Sequence, residues 1–410
     1  MSGRTAFALV LAVIGAVLGV PGLILLAGIV AAYGLLTRLW SRYGLRELRY
    51  ERRLSTRRAL VGDAVDLDIS VWNRKLLPLP FLAADDHLTD GLPVRERGEL
   101  DTDETGRRLL PNTWALAPFE RVIRHFHLDA LRRGRYELGP VLLRVRDVFG
   151  REANETQLPL PDALSVGPRS VPMAGPRRGQ APLGDRRARH SLVHDPALFG
   201  GVRPFMAGDS RRLVHWRASA RIGRHVAKRF EPARGTAIVI ALDVQTLPGA
   251  HWEMTWDDDA FEALCVAAAA IARESLREGA AVGFAAASFT GTPQRIAWLP
   301  PRAARGQAAA LNEVLARIGP ISSGPLGGLL TWLARRSPSG STLVLLTARD
   351  PRHELPTLRR IARGAHPVEV VLLGATAAAA LPALRSAGLR ASHATLEPDW
   401  RSADALVVAS

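Results

Sequence analysis

The sequence predicts a three-part chain: an N-terminal transmembrane helical hairpin, a β-sandwich-like middle domain and a C-terminal α/β domain built on a doubly wound sheet. Three observations predict it. Thr5 to Thr37 runs for 33 residues without a charge. Leu48 to about Pro168 holds short alternations of apolar and polar residues between turn signals. From Thr236 onward, apolar strand-like runs alternate with helical patterns, which implies a mostly parallel sheet. The boundaries that follow are 1–45 for the membrane anchor, 46–168 for the β domain, 169–198 for a linker, 199–235 for a motif rich in Gly, Asp, Arg and Trp, and 236–410 for the α/β domain.

Composition narrows the function classes. The net charge is +15, and only Lys75 and Lys228 among the 54 basic residues are lysine. Such arginine usage, with abundant Ala, Gly and Pro, points to genome composition rather than to selection for polyanions. The surplus still favours anionic membranes, nucleic acid or an acidic partner, yet the arginines are spread along the chain and no DNA-binding motif is present. The single cysteine, Cys265, lies in an apolar run, so a disulfide framework and a cysteine zinc site are both excluded.

One straight helix over Thr5–Thr37 would span about 50 Å at ~1.5 Å per residue, against a hydrocarbon core about 30 Å thick. Val20-Pro21-Gly22 interrupts the stretch at its middle, so two short transmembrane helices fit better than one. A signal peptide is the competing reading, opposed by the length of the apolar stretch. Arg4 precedes it, and Arg38, Arg42, Arg46 and Arg49 follow. Positive charge on both flanks places both ends, and the soluble domains, on the cytoplasmic side.

In the β region, Ala64–Trp72 and Arg121–Leu128 alternate with period two, and Arg135–Val145 reads as a strand pair broken at Gly139-Pro140. His125 and His127 share one strand face; with no third ligand in view, a solvated face is preferred to a metal pair. His190, His194 and Asp195 fall in the Pro-, Gly- and Arg-rich linker and make an equally weak metal set.

The α/β domain opens on Thr236–Leu242, an apolar run that ends at Asp243. A helix over Asp257–Glu278 follows, with Asp257, Asp258 and Asp259 suited to its N-terminus. Then come a strand at Ala281–Ser288, helices at Arg302–Ile318 and Pro325–Arg335, a strand at Ser341–Thr347, a helix at Leu355–Ala362, a strand at Pro367–Leu373 and a helix at Ala375–Ala387. Ligands of such sheets bind beyond the carboxyl ends of the strands. Metal-dependent adhesion sites there use an Asp-x-Ser-x-Ser loop, whose oxygen ligands suit magnesium. Here the loop reads Asp243-Val244-Gln245-Thr246-Leu247, and Ala348 follows Thr347 where an Asp is expected. Asp243 is thus the remnant of a degraded metal-site loop, and neither a metal nor another cofactor is expected.

The 33 residues from Phe199 to Glu231 contain seven arginines. Gly208-Asp209-Ser210 is turn chemistry, and Trp216 is expected to anchor against a sheet. Asp209, His215 and Ser219 are close enough in sequence to pose as a hydrolytic triad, although triad members usually come from distant segments. Arg203, Asp209, Trp216 and Arg221 are expected to brace the two soluble domains, to present a partner-docking face, or both. The chain also lacks Gly-x-Ser-x-Gly, phosphate-loop and His-Glu-x-x-His motifs.

Gly201, Arg203, Phe205, Gly208, Asp209, Arg212, Val214, Trp216, Ala218, Ser219, Ala220 and Arg221 resemble the hallmark of the family known as domain of unknown function 58. Leu76-Leu77-Pro78-Leu79-Pro80, Arg133-Gly134-Arg135-Tyr136 and Asp147-Val148-Phe149-Gly150 look like its β region, which extends the resemblance over nearly the whole chain. The resemblance implies a bacterial inner-membrane protein with a von Willebrand factor A-like C-terminal domain. It further implies a MoxR-type AAA ATPase partner, often beside a transglutaminase-like membrane protein. The expected function is a non-enzymatic adaptor in a chaperone-like system. A cell-envelope hydrolase using Asp209, His215 or Ser219 is the alternative, with an anionic-lipid or nucleic-acid binder as a third.

Overall fold

An uncharged stretch in an apolar medium must satisfy its own backbone, and the N-terminal residues do so as two helices. The computed structural model describes residues 3–97, 100, 102, 106–147, 150–174, 194–205, 214–232, 237–290 and 294–409. Helix α1 (Gly3–Leu18) ends at Gly19, which takes a positive φ, and Val20 N donates back to Gly15 O at 3.0 Å. That bond is the outer one of a Schellman cap. Helix α2 (Pro21–Tyr43) opens on proline, whose missing N–H has no intrahelical acceptor to lose at that position. At 23 residues α2 is long and apolar enough to cross a membrane. The 16 residues of α1 rise only ~24 Å at ~1.5 Å each. Val17, Leu25, Ile29 and Leu35 lie exposed along the two helices.

The chain divides into two units, Met1–Val166 and Gly167–Ser410. The first pairs the helices with nine strands: β1 (Leu48–Leu54), β2 (Arg58–Leu60), β3 (Ala64–Asn73), β4 (Leu79–Leu88), β5 (Arg108–Leu116), β6 (Arg121–Asp129), β7 (Gly134–Arg146), β8 (Glu152–Leu158) and β9 (Asp162–Gly167). One antiparallel sheet runs β1-β3-β6. The other runs β2-β9-β7-β4-β5, with β8 also paired to β7. Val65, Leu67, Ile69 and Val71 from one sheet, and Leu82, Ala84 and Leu88 from the other, are buried at alternate positions, as a half-covered strand requires. Trp40 Nε1 donates to Pro78 O at 3.0 Å and Asn154 Nδ2 to Ser41 O at 3.0 Å, so the last turns of α2 are fastened to this unit.

A polar network ties the two sheets together. Arg52 of β1 donates through Nη1 to Asp86 Oδ1 of β4 at 2.5 Å, and Tyr50 OH donates to Asp86 Oδ2 at 3.1 Å. Arg52 Nη2 also reaches Leu138 O at 3.0 Å and Leu160 O at 2.6 Å. The arginine and aspartate side chains are 3% and 0% exposed, so neither charge can fall back on water. Burial pushes the Asp86 carboxyl up to about 6 against the opposing pull of Arg52 and the Tyr50 bond. Gly139 makes room for the network: it holds φ +94°, and a Cβ there would sit 2.7 Å from Leu160 O. The segment expected as a broken strand pair is therefore one long strand, β7, bent at Gly139, whose first half pairs with β9 and second half with β4 and β8. Strand β5 had no counterpart in the sequence reading, because Pro111 masks its alternation.

The second unit holds β10 (Met173–Ala174), β11 (His194–Pro204), α3 (Trp216–Ile222), β12 (Val226–Pro232), β13 (Ala237–Leu242), α4 (Asp258–Arg277), β14 (Ala281–Ala286), β15 (Ala297–Arg302), α5 (Gln307–Arg317), α6 (Leu326–Arg336), β16 (Thr342–Thr347), α7 (Leu355–Arg363), β17 (Val368–Leu373), α8 (Gly374–Ala378), α9 (Leu381–Ser386), β18 (Arg390–Leu396) and β19 (Leu406–Ala409). Eight strands form one sheet in the order β10-β19-β18-β17-β16-β13-β14-β15. Strands β18, β17, β16, β13 and β14 are parallel, and both β16 and β17 are buried throughout, as strands covered on both faces must be. Strands β15 and β19 run antiparallel to their neighbours. Strand β15 has no counterpart among the expected elements, and only its last residue, Arg302, falls in the helix expected over Arg302–Ile318; Pro300 and Pro301 conceal the strand, and prolines are tolerated at the sheet edge it occupies. Met173 and Ala174, assigned to the linker, add to β19 instead, and His194 onward is strand.

Two outcomes follow for the first unit. Asp86→Ala leaves the Arg52 charge buried without its carboxylate and should lower the unfolding free energy by about 3–5 kcal/mol; a loss under about 1 kcal/mol in thermal melts of the full chain would show the network to be idle. Lys75 supplies a pH test. Its Nζ is buried with no bond to any described residue, and burial lowers its pKa to about 8, with Glu47 opposing. A base depressed in the folded state detracts from stability below its folded pKa, and the deficit fades as pH rises toward the unfolded value of about 10.5. Lys75→Met should therefore stabilise the chain at pH 7 and give no gain above about pH 10.5. A gain that does not change with pH would contradict this.

Candidate functional site

The strand order reverses between β13 and β16, and there both strands end on polar residues. In an open α/β sheet this switch point, at the carboxyl edge, is where a crevice forms. Asp243 follows β13 and Thr347 closes β16, and both side chains are buried. Thr347 Oγ1 donates to Asp243 Oδ2 at 3.0 Å, and Gln245 N reaches Oδ1 at 3.3 Å. The remaining partner is Arg349, whose Nε donates to Asp243 Oδ2 at 2.8 Å. Both members of this ion pair are nearly sealed, with side chains 8% and 5% exposed. Burial pushes the Asp243 carboxyl above its ordinary range, while Arg349, Thr347 and the Gln245 N–H pull against that rise.

A guanidinium thus stands against the carboxylate that a divalent cation needs at this edge. The positions that depart from the metal-site pattern have become fasteners. Gln245 Nε2 donates to Gly249 O at 2.9 Å and to Ala250 O at 3.2 Å, and Thr246 Oγ1 accepts from Asp257 N at 2.7 Å. Among the described residues no group of three His, Cys, Asp or Glu side chains is placed to hold a metal ion. Asp257 caps α4 by accepting from Ala260 N at 3.1 Å, as its position in the sequence suggested. Asp258 binds Trp256 Nε1, and Asp259 binds Trp400 Nε1 and Arg401. His125 and His127 share an exposed strand face on β6, held by Asp68 and Glu96. Cys265 is buried in α4.

The same loop that fastens Asp243 carries apolar side chains outward. Trp252 is 74% exposed and Met254 70%, and Phe289 after β14 is also exposed. These residues follow adjacent parallel strands, so they belong to the carboxyl edge of the sheet.

The arginine-rich motif forms a separate two-stranded sheet, β11 with β12, carrying α3 between its strands. Gly201 pairs with Arg229 and Arg203 with Ala227 along it. Gly208, Asp209 and Arg212, which the motif also singled out, lie outside the described residues. His215 is the N-cap of α3: its Nδ1 accepts from Ala218 N at 3.1 Å. Ser219 Oγ accepts from Val226 N at 3.0 Å. The histidine and serine proposed for a hydrolytic triad are thus each engaged with backbone, and Ser219 turns to β12 rather than to His215. Trp216 is not the buried anchor expected. It opens α3, is 66% exposed, and meets the His225 ring edge-on at 6.0 Å. Arg221 is exposed on the last turn of the same helix, which ends at Gly223. The physical reason is local: α3 buries Ser219 against its own hairpin, so its other faces turn to solvent.

Residues 201–392 match the family model "Protein of unknown function DUF58". The match takes in the motif and the sheet from β13 to the first three residues of β18, whereas α1, α2 and the β unit, over which the sequence resemblance extended, lie outside it. A curated relative, "Uncharacterized protein YeaD" of Bacillus subtilis (strain 168), is 24% identical over 251 residues, or 60% of this chain. The chain covers 58% of that relative's length. Among solved structures, the CARDB domain of the PF1109 protein from Pyrococcus furiosus is 16% identical, with 29% of this chain and 86% of that one covered, at a TM-score of 0.19. A β-glucosidase from Listeria innocua is 11% identical, over 29% of this chain and 16% of that one, also at 0.19. At these scores neither carries an argument about this fold.

The segment that matches the family model contains the sealed ion pair, and the pair is open to test. Arg349→Met strands the Asp243 carboxylate and should cost about 3–5 kcal/mol, and adding Asp243→Leu to it should restore part of that loss. Millimolar Mg²⁺ should leave the wild-type Tm in place; a rise would mean that the ion competes with the guanidinium.

Proposed function

We propose that this chain is a non-enzymatic, membrane-attached adaptor. Its C-terminal domain docks a MoxR-type AAA ATPase or that ATPase's client in a chaperone-like system. The observation that carries this reading is the carboxyl edge of the large sheet. The Asp243 carboxylate, buried at that edge, is neutralised internally by Arg349, while Trp252 and Met254 remain in solvent beside it. A sealed polar centre beneath exposed aromatic side chains suits recognition better than turnover, since aromatic anchors dominate binding energy at protein interfaces.

The fold of the second unit supports a von Willebrand factor A-like assignment. Counted from β13, the first six strands lie in the order 3-2-1-4-5-6, with the third, β15, antiparallel at its end of the sheet and a seventh, β19, antiparallel beyond the sixth. Docking on this domain would need no divalent ion. The helix α2 supports attachment to the bacterial inner membrane, and the arginines on both flanks of the hairpin favour the cytoplasmic face for the soluble units. A transglutaminase-like membrane protein is a further candidate partner, on the family resemblance. The motif of Gly201, Arg203, Gly208, Asp209, Arg212, Trp216, Ser219 and Arg221 is a second docking candidate in this reading, through the exposed side chains of Trp216 and Arg221.

The test is co-purification of the full chain from detergent extracts with a purified MoxR-type AAA ATPase, with and without chelator. Enrichment should survive chelation and should fall at least ~10-fold, or about 1.4 kcal/mol, in Trp252→Ala/Met254→Ala or in Trp216→Ala/Arg221→Ala. All four side chains are exposed, so the fold should tolerate their loss. No enrichment of the wild type, or equal enrichment of both variants, would remove the basis of the proposal.

A further inference from the structure

Helices α6 and α7 enclose an open groove of about 630 Å³. Three successive turns of α6 each contribute a pair of residues to it: Gly327 and Gly328, then Thr331 and Trp332, then Arg335 and Arg336. Thr357 of α7 lies on the other side. The pairing follows from helix geometry. Leu326, Leu329, Leu330 and Leu333 take the buried stripe, so the residues between them are left for the surface.

The groove is graded along its length. At the N-terminal end, Glu354 Oε1 accepts from Gly327 N at 3.0 Å, and a Cβ on Gly327 would sit 2.6 Å from Glu354 Oε2. That carboxylate is used up by the helix end, and the two glycines keep the floor low. In the middle stands the half-buried ring of Trp332, set edge-on against Trp298 of β15 at 5.3 Å and packed on the core. At the far end Arg336 lies over the Trp332 ring, 5.5 Å from its centre. Arg335 is exposed beside it, and Arg360 and Arg363 are exposed on α7.

The arginines of the unit fall into two sets, and the groove belongs, with exposed residues such as Arg295, Arg302 and Arg305, to the set that meets no acidic side chain among the described residues. Arg277, Arg317, Arg349, Arg352 and Arg401 each meet an acidic side chain. Arg335, Arg336, Arg360 and Arg363 meet no acidic side chain among the described residues. Arg335 and Arg336 line the groove beside an aromatic wall and a low glycine floor, and Arg360 and Arg363 are exposed on the neighbouring helix α7, so the surface is electrostatically incomplete.

We propose that this groove binds an acidic, amphipathic helical segment of a partner protein. Glutamates or aspartates of the segment pair with Arg335, Arg336 and the α7 arginines, and an apolar side chain packs on Trp332 over the glycine floor. Guanidinium groups suit carboxylates because the two pair through parallel N–H bonds, and an apolar ridge on a helix fits a groove of this kind. The concavity favours a segment over a flat anionic bilayer. The inference does not depend on the adaptor reading or on the carboxyl edge.

Fluorescence anisotropy tests it, using the full chain in detergent and a labelled amphipathic peptide with leucines on one face and glutamates on the other. A matching peptide with lysine in place of glutamate, and vesicles containing phosphatidylserine, are the other arms. The acidic peptide should bind, and more weakly as salt rises from about 0.05 to about 0.5 M. Arg335→Glu/Arg336→Glu should weaken it at least ~10-fold and turn the preference toward the lysine peptide. Both positions are exposed, so the variant should fold, and an unchanged Tm confirms it. Absence of binding by the acidic peptide up to about 1 mM, a Kd worth about 4 kcal/mol, overturns the proposal. So does equal binding by the charge-reversed variant, or vesicle binding through the same arginines without peptide binding.

Discussion

A carboxylate withdrawn from water at the end of a buried strand has to be matched by something, since an isolated buried charge is too unfavourable to persist. At Asp243 the match is a guanidinium from the same domain. That choice governs the region around it. With Arg349 in place, Thr347 can close β16 onto the same oxygen, and the β13 loop can be drawn shut by Gln245 and Thr246. The polar atoms at the switch point face one another, and the outward surface of the loop is left to Trp252 and Met254.

The β unit solves the same problem between its two sheets. Asp86 is held by Arg52 and Tyr50, while the arginine's second amino group is spent on the carbonyls of Leu138 and Leu160. Hydrophobic contact brings two sheet faces together without fixing how one slides on the other. A forked donor that must meet a carboxylate and two carbonyls at once restricts that freedom. Lys75 makes a useful contrast: its Nζ is buried with no hydrogen-bond acceptor among the described residues, and burial lowers its pKa against the weaker pull of Glu47.

The legible features of the sequence were those with local causes. The break between α1 and α2 is written in Val20-Pro21-Gly22, and the parallel strands β13, β16 and β17 in unbroken apolar runs. Strands β5 and β15 were hidden by internal prolines that an alternation search treats as terminators. Strand β19, at four residues, is too short to show a period, and β18 is built mostly of Ala, Ser, His and Thr rather than of an unbroken apolar run. The loss of the metal-site pattern was visible from Gln245, Leu247 and Ala348. What replaced the metal was not, because a search for ligands looks for oxygen and sulfur donors and passes over an arginine. Only the pairing of β13 with β16 brings Asp243 and Arg349 together across 106 positions. Trp216 was misplaced for a different reason: tryptophan is so often an anchor that exposure at the first turn of a short helix is not anticipated.

Three exposed or half-exposed tryptophans now separate by what lies behind them. Trp216 sits on a hairpin outside the main sheet, Trp252 on a loop sealed by an internal ion pair, and Trp332 on a helix packed against the core. A ring on a rigid support loses little freedom when it is covered, which is why preorganised aromatic side chains bind well for their area. By that measure Trp252 and Trp332 are the better-supported contacts. The charges near them differ in kind: Glu253, beside Trp252, is bonded to Ala250 N, whereas Arg336 lies on the ring of Trp332 with no acid to neutralise it. The two surfaces on the large sheet therefore ask for different partners. One suits an apolar contact that is insensitive to metal, and the other an acidic contact that is sensitive to salt. A single domain with one sheet can hold both because the groove between α6 and α7 and the carboxyl edge are built from separate side chains.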